Sequence, residues 1–396
     1  MVGALISVAE ARTRLFAMAP RVASESVPLA AAAGRWAAEA VVARRSQPGA
    51  DVSAMDGYAI RFADLPGPWR VVGESAAGRS FAGPIGPSEA ARIFTGAGMP
   101  AGADTVLVQE EAARDGERLM LAGDRPAQRG RNVRRLGLDF SAGDTLIAAG
   151  ERLTPARIAL AATGGHGALT VNRRLTVAIA ATGDELVAAG APLSDPLALP
   201  EGNSAMIAAL LADLPVDIVQ LGIVPDRLDA MTAAFASARA DIIVTTGGAS
   251  VGDHDLVRPA LEAAGGSIDF WRIALRPGKP MLAGRLGEAV VLGLPGNPVS
   301  AYVTAILFLL PLISAMAGAE NPLPRQLPAT LAEPLAANDH REDYLRARMT
   351  DGRVTFATIQ DSSMLATLAR ADCLVVRPSH APAATVGDTV PVIPLA

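Results

Sequence analysis

Residues 241–255 read DIIVTTGGASVGDHD, and the fold turns on how this stretch is read. Ile242, Ile243 and Val244 form an unbroken β-branched run, the pattern of a strand covered on both faces in a parallel sheet. Gly247, Gly248 and Gly252 strip the next loop of side chains, so backbone N–H groups can approach a ligand closely. A helix expected from about Leu256 turns its positive end to the same place, which favours an anion such as phosphate. Neither GxGxxG nor GxxxxGK[ST] occurs, so neither a dinucleotide fold nor a P-loop is supported. Asp253, His254 and Asp255 add carboxylates that can bridge to phosphate through a divalent cation. Simple helix capping by Asp255 is the alternative.

Outward from this strand, segments of strand and helix alternate. LTVAIAATGDEL (175–186) is a buried strand, Asn203 a helix N-cap, VDIVQLGIVPD (216–226) a second strand and RLDAMTAAFASA (227–238) a second helix. SIDFWRIALRPGKPM (267–281) and EAVVLGLPGNPVSAYV (288–303) follow. This alternation predicts a doubly wound α/β sheet with a ligand crevice along its carboxyl edge. Asp184, Glu185, Asp226, Asp253 and Asp255 fall at those strand ends beside Arg272, Arg276 and Lys279. Carboxylates for a metal and cations for an anion, converging on glycine loops, point to a phosphate-handling site.

The chain has 396 residues, too many for one ordinary core, so roughly two to four domains are expected. Its 35 basic and 40 acidic residues nearly balance, which leaves no broad nucleic-acid footprint. The single cysteine, Cys373, rules out an intramolecular disulfide and a CxxC metal site and agrees with a reducing cytoplasm. MVGALISVAEARTRL has no basic start leading into an apolar core and is not read as a signal peptide. Residues 299–318 are largely apolar but contain Ser300, Tyr302, Thr304, Pro311 and Ser314, so a buried or interface helix is expected there and no membrane span. Every basic residue but one is arginine. The exception, Lys279, marks a position that calls for a compact ammonium rather than a planar fork, unless it persists by chance.

In the remaining segments, Ser7 and Glu10 form a capping box that opens a helix through about Ala19. Residues 26–43 read as an extended or helical connector. SAMDGYAI (53–60) carries an Asp-Gly bend. Short, turn-rich, β-like segments then run to about Leu146, the pattern of a small inserted β domain. Within it, FTGAGMPAGAD (94–104) places Thr95 on a rim. NVRRLGLDFSAGD (132–144) carries Arg134, Arg135 and Asp139, with a surface Arg135–Asp139 ion pair as the plain reading. A helix is expected from Pro155 to Gly164-Gly165, with His166 in the loop beyond. After the proline-rich residues 322–328, short strands predict a β-barrel or sandwich, whose polar loop QDSSML (360–365) is read as a surface turn in preference to a ligand contact.

Seven motifs in order, SAMDGYAI, FTGAGMPAGAD, NVRRLGLDFSAGD, ATGDEL, TTGGASVGDHD, RPGKP and GLPGNPVSA, span nearly the whole chain. Together they resemble the MoeA-type molybdopterin molybdenumtransferases, which include the E domain of gephyrin. The resemblance implies an α/β plus β, multi-domain fold: a MoaB/MogA-like doubly wound α/β domain, an inserted small β domain and a C-terminal β-barrel. The domains expected are an N-terminal helix packing on the α/β domain (1–25), an extended linker and dimerisation domain (26–45 with 144–173), the inserted β domain (46–143), the α/β domain (174–322) and the barrel (323–396). It also implies a homodimer with its active site between one subunit's α/β domain and the other's β domain. The reaction implied is that of adenylyl-molybdopterin with molybdate, giving molybdenum cofactor and AMP with Mg²⁺. Other cofactor-maturation proteins are implied as possible partners.

Carried over residue by residue, Asp56, Thr95, Arg134 and Asp139 resemble the set on the inserted domain. Glu185, Asp226, Asp255, Arg272, Arg276, Lys279, Pro295 and Pro298 resemble the set on the α/β domain, with Ser362 or Ser363 as the serine of the tail. Gly247, Gly248 and Ser250 belong to the phosphate loop. Asp56, Glu185, Asp226 and Asp255 are the expected catalytic carboxylates, and the last three the metal ligands. Two departures stand out: Arg272 and Arg276 replace lysines that the family commonly has, and QPGADV precedes SAMDGYAI in place of a proline- and phenylalanine-rich turn. A molybdopterin adenylyltransferase, a non-catalytic pterin-binding scaffold and an unrelated nucleotide hydrolase are the rival readings.

Overall fold

The computed structural model describes residues 5–193, 195–248 and 256–395. Its central sheet comprises β1 (Leu175–Thr182), β2 (Val216–Val224), β3 (Ile242–Thr246), β4 (Ser267–Arg272), β5 (Pro280–Leu286) and β6 (Ala289–Leu294), in the spatial order β2-β1-β3-β6-β5-β4. The strands β2, β1, β3 and β6 run parallel. All five residues of β3 are buried, as its β-branched run requires. The doubly wound sheet expected from the sequence carries an antiparallel edge. The short turn at Gly287-Glu288 folds β5 back onto β6, and β4 is antiparallel to β5.

Alternate residues of these strands enter two cores. Val177, Ile179, Ile242 and Val244 pack with helices Asn203–Leu211 and Pro298–Met316. Ala178, Ala180, Ile243 and Val291 pack on the other face with Met231, Phe235 and Leu261 of helices Leu228–Ser237 and Val257–Ala263. The first of these helices starts differently from the sequence expectation. Asn203 is its first turn residue rather than its N-cap, and Glu201 accepts from Ser204 N–H at 2.8 Å, satisfying an orphan donor of the first turn. Pro298–Met316 is long and apolar enough to cross a bilayer, with 19 residues and a mean hydropathy of 2.1, but 78% of that window is buried inside the protein. It serves as a core helix, broken by a π segment at Ala305–Leu309.

The N-terminal helix Val8–Met18 is capped by Ser7, whose Oγ accepts from Glu10 N–H at 3.1 Å. It buries Val8, Ala11 and Leu15 in the same core, and Arg12 Nε donates to Leu307 O at 3.1 Å. Strands Ser24–Pro28 and Ala168–Asn172 pair antiparallel, as do Val41–Val42 and Thr145–Ile147, and between the first members of these pairs residues 26–43 run as the expected connector, part extended and part helical at Leu29–Ala32. Helix Pro155–Thr163 closes this unit over Val41, Ile147, Leu153 and Val171. His166 Nε2 contacts Val42 O at 2.8 Å, a loop role.

Between those halves lies a six-stranded sheet in the order Thr105–Val108, Gly57–Ile60, Glu89–Ile93, Trp69–Ser75, Arg118–Leu121, Ala112–Asp115. In this domain Arg135 pairs with Asp51, not with Asp139. Asp51 also accepts from Leu136 N–H at 2.8 Å, which outcompetes an exposed carboxylate four residues on.

The tail is a closed barrel of five strands, because Glu342–Thr350 pairs with both Arg353–Phe356 and Cys373–Arg377. Leu327–Leu331 and Thr389–Pro394 complete the circuit. The barrel is joined to the α/β domain by Leu275–Arg276, which pairs in parallel with Glu342 and Asp343. Cys373 is buried in the barrel interior beside Val354 and Val375, and that burial pushes its thiol up to about 11. Native protein should therefore resist thiol labelling at pH 8, and the rate of labelling should rise with barrel unfolding. Rapid labelling without denaturant would contradict this packing.

Candidate active site

The carboxyl edge of the sheet opens into a cleft of about 1140 Å³. That is large against the order of 300–1,000 Å³ typical of ligand pockets, and it has room for a nucleotide-sized guest. Glu185 follows β1, Asp226 follows β2, Gly247 and Gly248 follow β3, and the turn Pro295-Gly296-Asn297-Pro298 follows β6. Facing them are Arg276, Lys279, Arg341 and the tail residues from Gln360 to Ser363.

Each wall has a local cause. Gly247 has φ +91°, and a Cβ there would lie 2.3 Å from Thr182 O, so only glycine lets β3 leave the sheet at this point. Its N–H donates to Leu294 O at 3.1 Å, tying the ends of β3 and β6 and withdrawing that amide from ligand binding. Asp226 N–H donates to Asp184 Oδ1 at 3.0 Å, which draws the loops after β1 and β2 together. Asn203 Nδ2 donates to Gly296 O at 2.7 Å and braces the proline turn. Gly278 has φ +111°, and a Cβ there would lie 2.6 Å from Thr304 Cγ2, so the RPGKP turn can lie flat against the core helix.

The polar loop of the tail is part of the cleft, not the surface turn that the sequence favoured. Asn297 Nδ2 donates to Ser362 Oγ at 3.0 Å, and Val299 N–H donates to Ser362 O at 3.1 Å. Ser363 turns the other way: its N–H and hydroxyl donate to Asp361 Oδ1 at 2.8 and 2.6 Å. Those bonds hold the Asp361 carboxyl below the usual carboxylate range. Of the two serines, Ser362 presents its hydroxyl beside the proline turn.

The three cations of the cleft differ. Arg276 Nε donates to Asp343 Oδ1 at 2.9 Å, a second bond joins Nη2 to Oδ2, and Asn338 and Asp339 add contacts at 3.3 and 3.5 Å. Arg341 binds Asp339, and its hydrogen bonds hold that carboxyl well below the usual range. Among the described residues of the cleft, Lys279 is left as the exposed cation without a hydrogen bond or ion pair from its side chain. Arg272 does not line the cleft. It ends the antiparallel edge strand β4, and its guanidinium lies over the Trp271 ring at 5.3 Å.

Of the expected metal ligands, Glu185 and Asp226 line the cleft, whereas Asp255 lies outside the described residues, as do Ser250, Asp253 and His254. Among the described residues there is no group of three metal-ligating side chains. Two carboxylates alone are a partial hard-oxygen set of the kind Mg²⁺ accepts, since that ion keeps several waters.

A second constellation stands on the inserted domain. Thr95 donates to Asp56 Oδ1 from its N–H at 2.7 Å and from its hydroxyl at 2.8 Å, and these bonds lower the Asp56 pKa. Arg92, a residue the sequence did not single out, stacks on Phe94 at 4.6 Å and donates to Gly57 O at 2.9 Å behind that carboxylate. Arg134 pairs with Val52 in a two-residue ladder, and Asp139 N–H donates to Gln47 O at 2.9 Å, both with exposed side chains. None of Asp56, Thr95, Arg134 and Asp139 lines the cleft of its own chain.

Comparison with known proteins places this architecture. Residues 6–165 match the MoeA N-terminal region (domain I and II), 178–315 a probable molybdopterin binding domain and 328–395 the MoeA C-terminal region (domain IV). The molybdopterin molybdenumtransferase of Haemophilus influenzae is 33% identical over 404 residues, covering 98% of each chain. That of Nostoc sp. is 35% identical over 395 residues, covering 94% of this chain and 90% of its own. The crystal structure of the molybdopterin biosynthesis MoeA protein from Pyrococcus horikoshii superposes with a TM-score of 0.82 at 27% identity, covering 99% of this chain and 100% of that one. Agreement in all three regions, at such identity and over nine tenths or more of these relatives, makes the chain a member of the MoeA family of molybdopterin molybdenumtransferases.

Proposed function

We propose that this chain catalyses molybdenum insertion in molybdenum cofactor biosynthesis, converting adenylyl-molybdopterin and molybdate to molybdenum cofactor and AMP with Mg²⁺. One observation carries the reading: Glu185, Asp226, Lys279, the proline turn and Ser362 converge on one cleft at the strand ends. Cleaving the phosphoanhydride requires an oxygen nucleophile in line with the departing AMP and neutralisation of the charge that develops there. Lys279 supplies a compact positive charge, and Asn297 and Ser362 supply hydrogen-bonding groups suited to a tetrahedral oxyanion. Glu185 and Asp226, with Asp255, would hold the divalent cation, whose contribution is charge neutralisation at the phosphates. The sulfurs that receive molybdenum belong to the pterin, so the burial of Cys373 in the barrel is no obstacle.

The working unit in this reading is a cytoplasmic homodimer, in which the cleft of one subunit receives Asp56, Thr95, Arg134 and Asp139 from the other. The absence of these four side chains from the lining of their own chain's cleft supports that arrangement. Other maturation proteins would deliver adenylyl-molybdopterin or accept the product. The deciding experiment is release of AMP from adenylyl-molybdopterin with and without molybdate. Release independent of molybdate would indicate a hydrolase, and no release an adenylyltransferase or scaffold.

Excess chelator should abolish turnover while leaving the thermal unfolding curve unchanged, and undiminished turnover would dismiss the cation. Lys279→Ala should weaken molybdate or AMP binding about tenfold, the worth of one hydrogen bond to a charged group. Its Tm should stay near that of the wild type, because the ammonium has no partner to lose. Equal affinity by calorimetry would return Lys279 to a surface role. Asp56→Ala and Glu185→Ala homodimers should each be inactive, whereas purified mixed dimers should recover about half of wild-type activity, since such polar changes outside the core seldom unfold a chain. Mixed dimers as inactive as their parents would mean that the two groups do not meet across subunits.

A further inference from the structure

Arg346 lies in the barrel strand Glu342–Thr350 with 1% of its surface exposed. Among the described residues it forms no ion pair with a carboxylate, and burying a lone guanidinium is costly unless its donors are used. They are used, all on one segment. Nε donates to Gln360 Oε1 at 3.2 Å, Nη1 to Asp361 O at 2.9 Å and Met364 O at 3.4 Å, and Nη2 to Ile359 O at 3.5 Å. Gln360 returns the grip, with Oε1 accepting from Arg346 N–H at 3.1 Å and Nε2 donating to Arg346 O at 2.9 Å. The segment so held joins strand Arg353–Phe356 to helix Leu365–Leu368 and has no ladder of its own. Its outward ties are those of Ser362 to Asn297 and Val299.

We propose that Arg346 is a positioning residue for the reaction, fixing the segment that presents Ser362 to the cleft, so that the barrel is a working part of the site. The planar fork spans three carbonyls and an amide oxygen at once, which a lysine ammonium cannot do in the same geometry. The effect on substrate passes through Ser362, because Arg346 itself does not line the cleft. This assignment rests on the function proposed above.

The test is a double-mutant cycle on the full-length protein, with initial rates of AMP release measured against molybdate concentration. Arg346→Met and Ser362→Ala should each raise the KM for molybdate, by roughly 10- to 100-fold for loss of a supporting residue, with kcat changed less. The double variant should be no worse than the poorer single, and Arg346→Lys should recover part of the loss. A double variant that loses the product of the two single effects, or Arg346→Met with wild-type KM, would overturn the proposal. Protection of Cys373 from labelling serves as the folding control. If Arg346→Met exposes that thiol, the same cycle is run with Arg346→Lys, and the same two outcomes decide. Amide exchange probes the same contact without relying on turnover. The Val299 amide should exchange faster in the Arg346 variant while the Tyr344 and Val375 amides stay protected, and unchanged Val299 protection would overturn the proposal. Wild-type protein that releases no AMP with molybdate would remove the proposed reaction, and the exchange result would still decide whether Arg346 holds the segment.

Discussion

The cleft exists because two residues of the α/β domain join the tail barrel. Leu275 and Arg276 run in parallel with Glu342 and Asp343, and the guanidinium of Arg276 clamps the nearly buried carboxylate of Asp343 through two hydrogen bonds. Hydrogen bonds to charged groups contribute on the order of 1.5–3 kcal/mol, so the side-chain clamp is comparable to a sizeable share of a domain's net stability. The junction holds the barrel over the strand ends together with the bonds of Ser362 to Asn297 and Val299 and the packing of Leu368 and Val376 into the α/β core. The clamp also decides how charge is shared out. Arg276 is spent on architecture and Arg341 on Asp339, which leaves Lys279 as the cation of the described cleft without a side-chain partner.

This division explains what was legible in the sequence. The β-branched run at Ile242–Val244 announced a covered central strand, and the strand-helix alternation announced the sheet, because both signals are local and periodic. Gly247 was also legible, since a turn that passes 2.3 Å from Thr182 O at the Cβ position admits no side chain. Partnerships across long separations were not. Asp343 lies 67 residues beyond Arg276, and nothing near either announces the pair. Arg272 looked equivalent to Arg276 by its charge and its place before the PGKP turn, yet it ends an antiparallel edge strand and leans on Trp271. The tail loop looked like any polar turn because its importance comes from Arg346, fourteen residues upstream in chain and hidden in the barrel.

The described part of the cleft offers an anion side chains as well as backbone. A glycine-rich loop before a helix invites the thought that backbone amides cradle the ligand. Here the Gly247 amide closes the sheet edge. The side chains of Lys279, Asn297 and Ser362, set by turns that are themselves pinned to the core, line the cleft beside it.

The helix Pro298–Met316 has a consequence of its own. Its first residue closes the proline turn at the cleft, and its far end accepts from Val22 N–H at Met316 O at 3.1 Å, with Asn172 Nδ2 donating to Ala317 O just beyond at 2.7 Å. Most side chains between are buried, and 19 residues at about 1.5 Å each span about 28 Å. The helix is thus a strut between the cleft and the root of the segment that carries the inserted domain. The two bonds at its far end therefore set where that segment leaves the α/β domain relative to the proline turn.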